Sequence, residues 1–146
     1  MKLYLMRHGQ AASPQVDAQQ GLTPDGRDEI ERLAQRLQAQ GVQFTQVLHS
    51  EKTRAQQTAE IMAGVLAPGI APKMRSGLKP NDDPRLLLAD IEGWQGDTLM
   101  TSHLPFVPLL LAQLTGQAPD MGLVPGTIIC LTKQNAIWQI EWLESP

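Results

Sequence analysis

An imidazole and a guanidinium stand side by side at Arg7-His8-Gly9. Two later stretches carry related chemistry: Ser50-Glu51-Lys52-Thr53-Arg54-Ala55-Gln56-Gln57-Thr58-Ala59 and Thr101-Ser102-His103-Leu104-Pro105. Brought together, Arg7 and Arg54 would hold a phosphoryl group, because two guanidinium forks neutralise its charge through bidentate hydrogen bonds. His8 would attack the phosphorus and form a covalent phosphohistidine. Attack needs a bare ring nitrogen, and two neighbouring cations disfavour the imidazolium form. A hydrogen bond at the other nitrogen would fix which one attacks. His103 would donate to the phosphoryl oxygens, where charge spreads in the transition state. Arg and His supply the positive charge, so neither a metal nor a cofactor is expected. The expected ligand is a phosphate- or sulfate-type anion.

The elements that must position these residues follow from patterning. Leu3-Tyr4-Leu5-Met6 reads as a strand over residues 2–7, with His8 at its carboxyl end. In open α/β sheets, ligands bind in the crevice beyond those ends. Thr23 is the expected N-cap of a helix and Pro24 its first residue. Ile30, Leu33, Ala34 and Leu37 form its apolar face, and Gly41 its stop. Residues 42–49 contain a second strand, with Phe44, Val47 and Leu48 as apolar content. Ser50 would cap the next helix, over about residues 51–65, with Arg54 one turn in. Residues 70–75 read as a short strand, 76–84 as a loop and 85–91 as a modest helix. Residues 98–101 form a strand leading to His103. Pro105 opens an apolar helix, including Leu109 to Leu111, that Gly116 ends. Residues 127–131 and 136–143 form a hairpin turning near Lys133-Gln134-Asn135. Strand and helix alternate, which predicts an α/β three-layer sandwich: a mostly parallel central sheet with helices on both faces.

Composition bounds the rest. The 146 residues fit one domain, residues 1–146, and 42% hydrophobic content is enough for a core. The net charge of −3 argues against a nucleic-acid binder. Cys130 is the one cysteine, which excludes an internal disulfide and a multi-cysteine metal site. No apolar run approaches the roughly 20 residues that span a bilayer. No signal-peptide pattern is present. A cytoplasmic protein with no membrane contact is the expectation.

The three stretches, with Leu22-Thr23-Pro24-Asp25-Gly26, resemble the histidine phosphatase superfamily, which also contains the cofactor-dependent phosphoglycerate mutases. The resemblance covers most of residues 1–131. It implies a phosphoglycerate-mutase-like fold, with His8 as the phosphorylated nucleophile. Arg7, Gly9, Arg54 and His103 would then hold the phosphoryl group. The short stretch from Met62 to Met100 is similar to the SixA-type branch, which acts on phosphohistidine in signalling or phosphocarrier proteins. Such a protein is the implied partner. Gln10 follows the triplet where mutase-like members carry Glu. No motif marks a general acid, although Asp82, Asp83, Asp90 and Glu92 are candidates by region. An alkoxide leaving group wants a proton, whereas an imidazole leaves more readily.

Other residues read as structural. His49 has no zinc-like spacing to His8 or His103. Arg27, Arg32, Arg36 and Lys52 read as solvated helix faces, and Arg75 and Lys79 as borders of the pocket mouth. Cys130 reads as a buried small hydrophobe with no Arg six positions on. Trp94, Trp138 and Trp142 read as packing residues. Two other readings stay open: a phosphatase or mutase for small phosphate esters on the same fold, and a non-catalytic phosphate-binding protein. No P-loop motif is present.

Overall fold

The computed structural model describes residues 1–146. Its strands are β1 (Lys2–Arg7), β2 (Gln46–His49), β3 (Lys73–Met74), β4 (Thr98–Ser102), β5 (Ile128–Gln134) and β6 (Ile137–Glu144). Its helices are α1 (Pro24–Ala39), α2 (Thr53–Leu66), α3 (Leu88–Gly93) and α4 (Phe106–Thr115). The six strands form one sheet in the order β3-β2-β4-β1-β5-β6. The β3–β2, β2–β4 and β4–β1 pairs are parallel; β1–β5 and β5–β6 are antiparallel.

Alternation along β1 builds the layers. Successive side chains of a strand point to opposite faces. Tyr4 and Met6 pack with Ile30, Leu33 and Leu37 of α1 and Met62 of α2. Leu3 and Leu5 pack with Phe106 and Leu110 of α4 and Ile91 of α3. Both faces are thus covered, which is why β1 is apolar throughout its interior. This is the three-layer sandwich that the alternation of strand and helix predicts.

Register then fixes the site. Arg7 lies opposite Ser102 across β1 and β4, and His49 lies opposite Thr101 across β2 and β4. Three neighbouring parallel strands therefore end on one rim. His8, Ser50 and His103 are each the first residue beyond their strand.

Helix α1 starts as its sequence demands. Thr23 Oγ1 accepts the Gly26 N–H, Pro24 is the first helical residue, and Gly41 follows with φ +82. Other boundaries differ from expectation. Val42 and Phe44 are buried but lie outside β2; the Phe44 N–H bonds to Leu66 O, so burial there comes without strand pairing. Helix α2 begins at Thr53 after Lys52, and Ser50 is not its cap. Residues 85–91 divide into a 3-10 turn, Pro84–Leu87, capped by Asp83, and the short α3. The hairpin turns at Asn135 and Ala136, both at positive φ, as a two-residue turn joining twisted strands requires. No helix is long and apolar enough to cross a membrane.

Candidate active site

His8 is held by its backbone on two sides. Its N–H donates to Ser102 O at 2.9 Å, and its carbonyl accepts the Gly126 N–H at 2.9 Å. Gly126 has φ +83, and a Cβ there would lie 2.6 Å from Pro146. No other residue fits that turn without strain. The His8 ring places Nδ1 2.7 Å from Gly9 O. A carbonyl only accepts, so the proton sits on Nδ1 and Nε2 keeps its lone pair. Nε2 has no partner in the protein and is open to solvent.

Gly9 acts through its backbone. Its N–H donates to Thr58 Oγ1 at 3.0 Å, and the Thr58 hydroxyl donates to Arg54 O at 2.8 Å. A Cβ at Gly9 would lie 2.9 Å from the Ile30 side chain. The sequence reading gives Gly9 to the phosphoryl group. The structure instead commits its N–H to Thr58 and its carbonyl to His8, so its part is to seat the His8 ring.

Arg7 Nη1 donates to Leu123 O at 2.7 Å, and its Nε is buried without a partner. Arg54 sits in the first turn of α2, partly buried. His103 is 2% exposed, and its ring centroid lies 5.1 Å from that of His8. His103 Nε2 is 2.6 Å from Ser50 Oγ, while Nδ1 is buried without a partner.

The electrostatics follow from burial. Burial lowers the His8 pKa to about 4; the Gly9 hydrogen bond opposes this, and Arg54 and Arg7 add to it. Burial lowers His103 to about 3, with His8, Arg54, Lys52 and Arg7 adding. The cations that the sequence argument relies on therefore contribute less than desolvation. Burial also lowers Arg7 and Arg54, which stay charged. Two neutral imidazoles beside two guanidiniums make a cationic cluster suited to an anion.

The four regional carboxylates are engaged elsewhere. Asp82 accepts the Lys79 N–H, and Asp83 pairs with Arg85. Asp90 pairs with Arg75, and Glu92 pairs with Lys133 at 2.5 Å. None of them bonds to His8, Arg7, Arg54 or His103. No three His, Cys, Asp or Glu side chains are grouped to hold a metal ion. His49 is buried and donates from Nδ1 to Ser50 O, and Cys130 is buried and free.

Sequence reasoning missed Ser50 and Thr58 as parts of the site. It reads Ser50 as a helix cap, yet α2 starts three residues later and the hydroxyl meets His103. Only the strand register, which the sequence does not carry, brings Ser50 to His103: each directly follows its strand, as His8 does. Thr58 lies one turn after Arg54, where its hydroxyl ties α2 to Gly9.

Known proteins match this arrangement. A family model described as the histidine phosphatase superfamily (branch 1) matches residues 3–81. The phosphohistidine phosphatase SixA of Escherichia coli (strain K12) is 30% identical over 100% of this chain and 94% of its own. An uncharacterized protein of Picosynechococcus is 36% identical over 84% of this chain and 69% of its own. A solved structure of the protein histidine phosphatase SixA complexed with tungstate superposes with a TM-score of 0.88. It is 32% identical, over 100% of this chain and 97% of the other. The match to the family model, over more than half the chain, and the end-to-end likeness to a named relative agree: the chain belongs to the histidine phosphatase superfamily, and it is a phosphatase of that family.

Proposed function

We propose that this phosphatase hydrolyses phosphohistidine on a phosphotransfer or phosphocarrier protein, through a phospho-His8 intermediate and without a metal. One observation carries the reading: His8 is neutral, its Nδ1–H is held by Gly9 O, and Nε2 is free beside two guanidiniums. Arg7 and Arg54 hold the incoming phosphoryl group, and Nε2 attacks phosphorus in line with the departing nitrogen. The P–N bond breaks as the new one forms. The substrate reacts with its second ring nitrogen protonated, so its imidazole takes the P–N electron pair and leaves as a neutral base. Water then attacks phospho-His8, the Nε2–P bond breaks and returns its electron pair to Nε2, and both water protons leave on the phosphate, as dihydrogen phosphate. The Nδ1–H to Gly9 bond persists through both steps. His103 donates to phosphoryl oxygen as charge develops.

The protein substrate is favoured over a phosphate ester by the carboxylates. An alkoxide wants a proton on departure, and all four candidate acids are tied into caps or ion pairs. The likeness to SixA, named for phosphohistidine and solved with the oxyanion tungstate, supports the same choice.

The test is side-by-side hydrolysis of a phosphohistidine-bearing phosphotransfer protein and a panel of small phosphate esters. Faster turnover of the protein is expected, with no turnover by His8→Ala in either arm. Retained turnover in a folded His8→Ala protein removes His8 as nucleophile. Preference for an ester moves the enzyme to small-molecule substrates.

A further inference from the structure

Ser50 and His103 form a buried pair that the steps above do not explain. Ser50 is fully buried, and its Oγ lies 2.6 Å from His103 Nε2. The same Oγ accepts the Lys52 N–H at 3.2 Å. His103 Nδ1 is buried with no partner. Hydrogen-bond counting decides the tautomer. With the ring proton on Nε2, the Ser50 O–H has no acceptor and Nδ1 has no donor. With the proton on Nδ1, Ser50 donates to Nε2, and only the Nδ1–H is left unpaired. The second arrangement orphans one group instead of two.

A buried donor without an acceptor needs an explanation. The ring that carries this one packs 5.1 Å, centroid to centroid, from that of His8. We infer that Ser50 is a positioning residue, which fixes His103 as its Nδ1–H tautomer and reserves that N–H for a phosphoryl oxygen. The inference rests on the reading that His8 carries the phosphoryl group. No proton moves between Ser50 and His103 in this arrangement; the hydroxyl hydrogen stays on Ser50 and the ring keeps one orientation.

The experiment is nitrogen NMR of the histidine rings in the full chain at neutral pH, with and without inorganic phosphate as the probe. Wild type, Ser50→Ala and Ser50→Thr are compared. The expected result is a protonated Nδ1 at His103 in wild type, with phosphate shifting both His8 and His103. In Ser50→Ala the proton moves partly or wholly to Nε2. Its kcat on the phosphohistidine protein falls about 10²-fold, the loss typical of one misdirected donor, while KM changes little. Ser50→Thr, which keeps the hydroxyl, holds the wild-type tautomer.

Wild-type His103 protonated at Nε2 overturns the inference, as does an unchanged tautomer in Ser50→Ala. If Ser50→Ala does not fold, the wild-type and Ser50→Thr spectra still decide the matter. Phosphate that shifts His8 but leaves an Nε2-protonated His103 sinks this inference alone. Phosphate that shifts neither ring sinks the phosphoryl reading with it.

Discussion

Protonating His8 would remove the lone pair it needs and place a third cation beside Arg7 and Arg54. The fold opposes this chiefly by burial. Native pKa values of about 4 for His8 and about 3 for His103 lie below the ordinary 6.5. Between pH 6.5 and these values, the unfolded chain binds protons that the native chain refuses. Stability must therefore fall as pH drops through that window, by roughly 1.4 kcal/mol per unit of depression at each ring. Denaturant unfolding across pH should show a shallower slope in His8→Ala than in wild type; equal slopes would show that His8 is not depressed. The acid limb of kcat/KM, which reports the free enzyme, should lie near pH 4. A limb near 6.5 would contradict a buried neutral nucleophile. At this scale the sequence exposes Arg7, His8, Arg54 and His103, because residue type and strand-end position are both visible in it. Ser50 stays hidden: a serine between strand and helix has the same local pattern whether it caps a helix or meets a histidine across the sheet.

Thr58 shows how helix α2 and the end of β1 are joined. Its hydroxyl accepts the Gly9 N–H and donates to Arg54 O, so one side chain fastens the loop that seats His8 to the helix that carries Arg54. Gln57 adds a second tie by accepting the Leu22 N–H at 2.7 Å. Thr58→Val keeps the shape but leaves the Gly9 N–H unpaired. A loss of about 1–3 kcal/mol is expected in denaturant unfolding, together with a lower kcat. An unchanged kcat would show that His8 does not depend on this tie. The helices α1 and α4 were legible because apolar periodicity, caps and terminal glycines agree. Residues 42–45 and 70–72 were not: the buried Val42 and Phe44 and the exposed Ile70 all lie outside strands, yet each carries the same local signal as an apolar residue within one. Only a partner strand at the right height separates the two.

For the whole molecule, charge and site have opposite signs. The chain carries −3 overall, yet its candidate pocket gathers two guanidiniums around neutral imidazoles. Anion binding thus depends on local placement rather than on the overall field. With Arg and His supplying the charge, turnover should be unchanged after dialysis against EDTA. Complete loss, restored by a divalent cation, would overturn the proposed chemistry. The parallel sheet was legible at this scale from alternation of strand and helix, but the strand order was not, because order depends on contacts between distant segments.

That order bears on how the enzyme comes into being. β1 and β2 are not paired; β4 lies between them and arrives later in the chain than both. Residues 3–81, the stretch shared with the family model, already hold His8, Arg7 and Arg54. They lack the strand that lays these groups side by side. A growing chain therefore carries most of the phosphate-binding groups well before it has a pocket. Closing that gap is a long-range step of the kind that slows folding. The strand that closes it, β4, also leads directly into His103, so the last of the four groups arrives with the strand that aligns the other three.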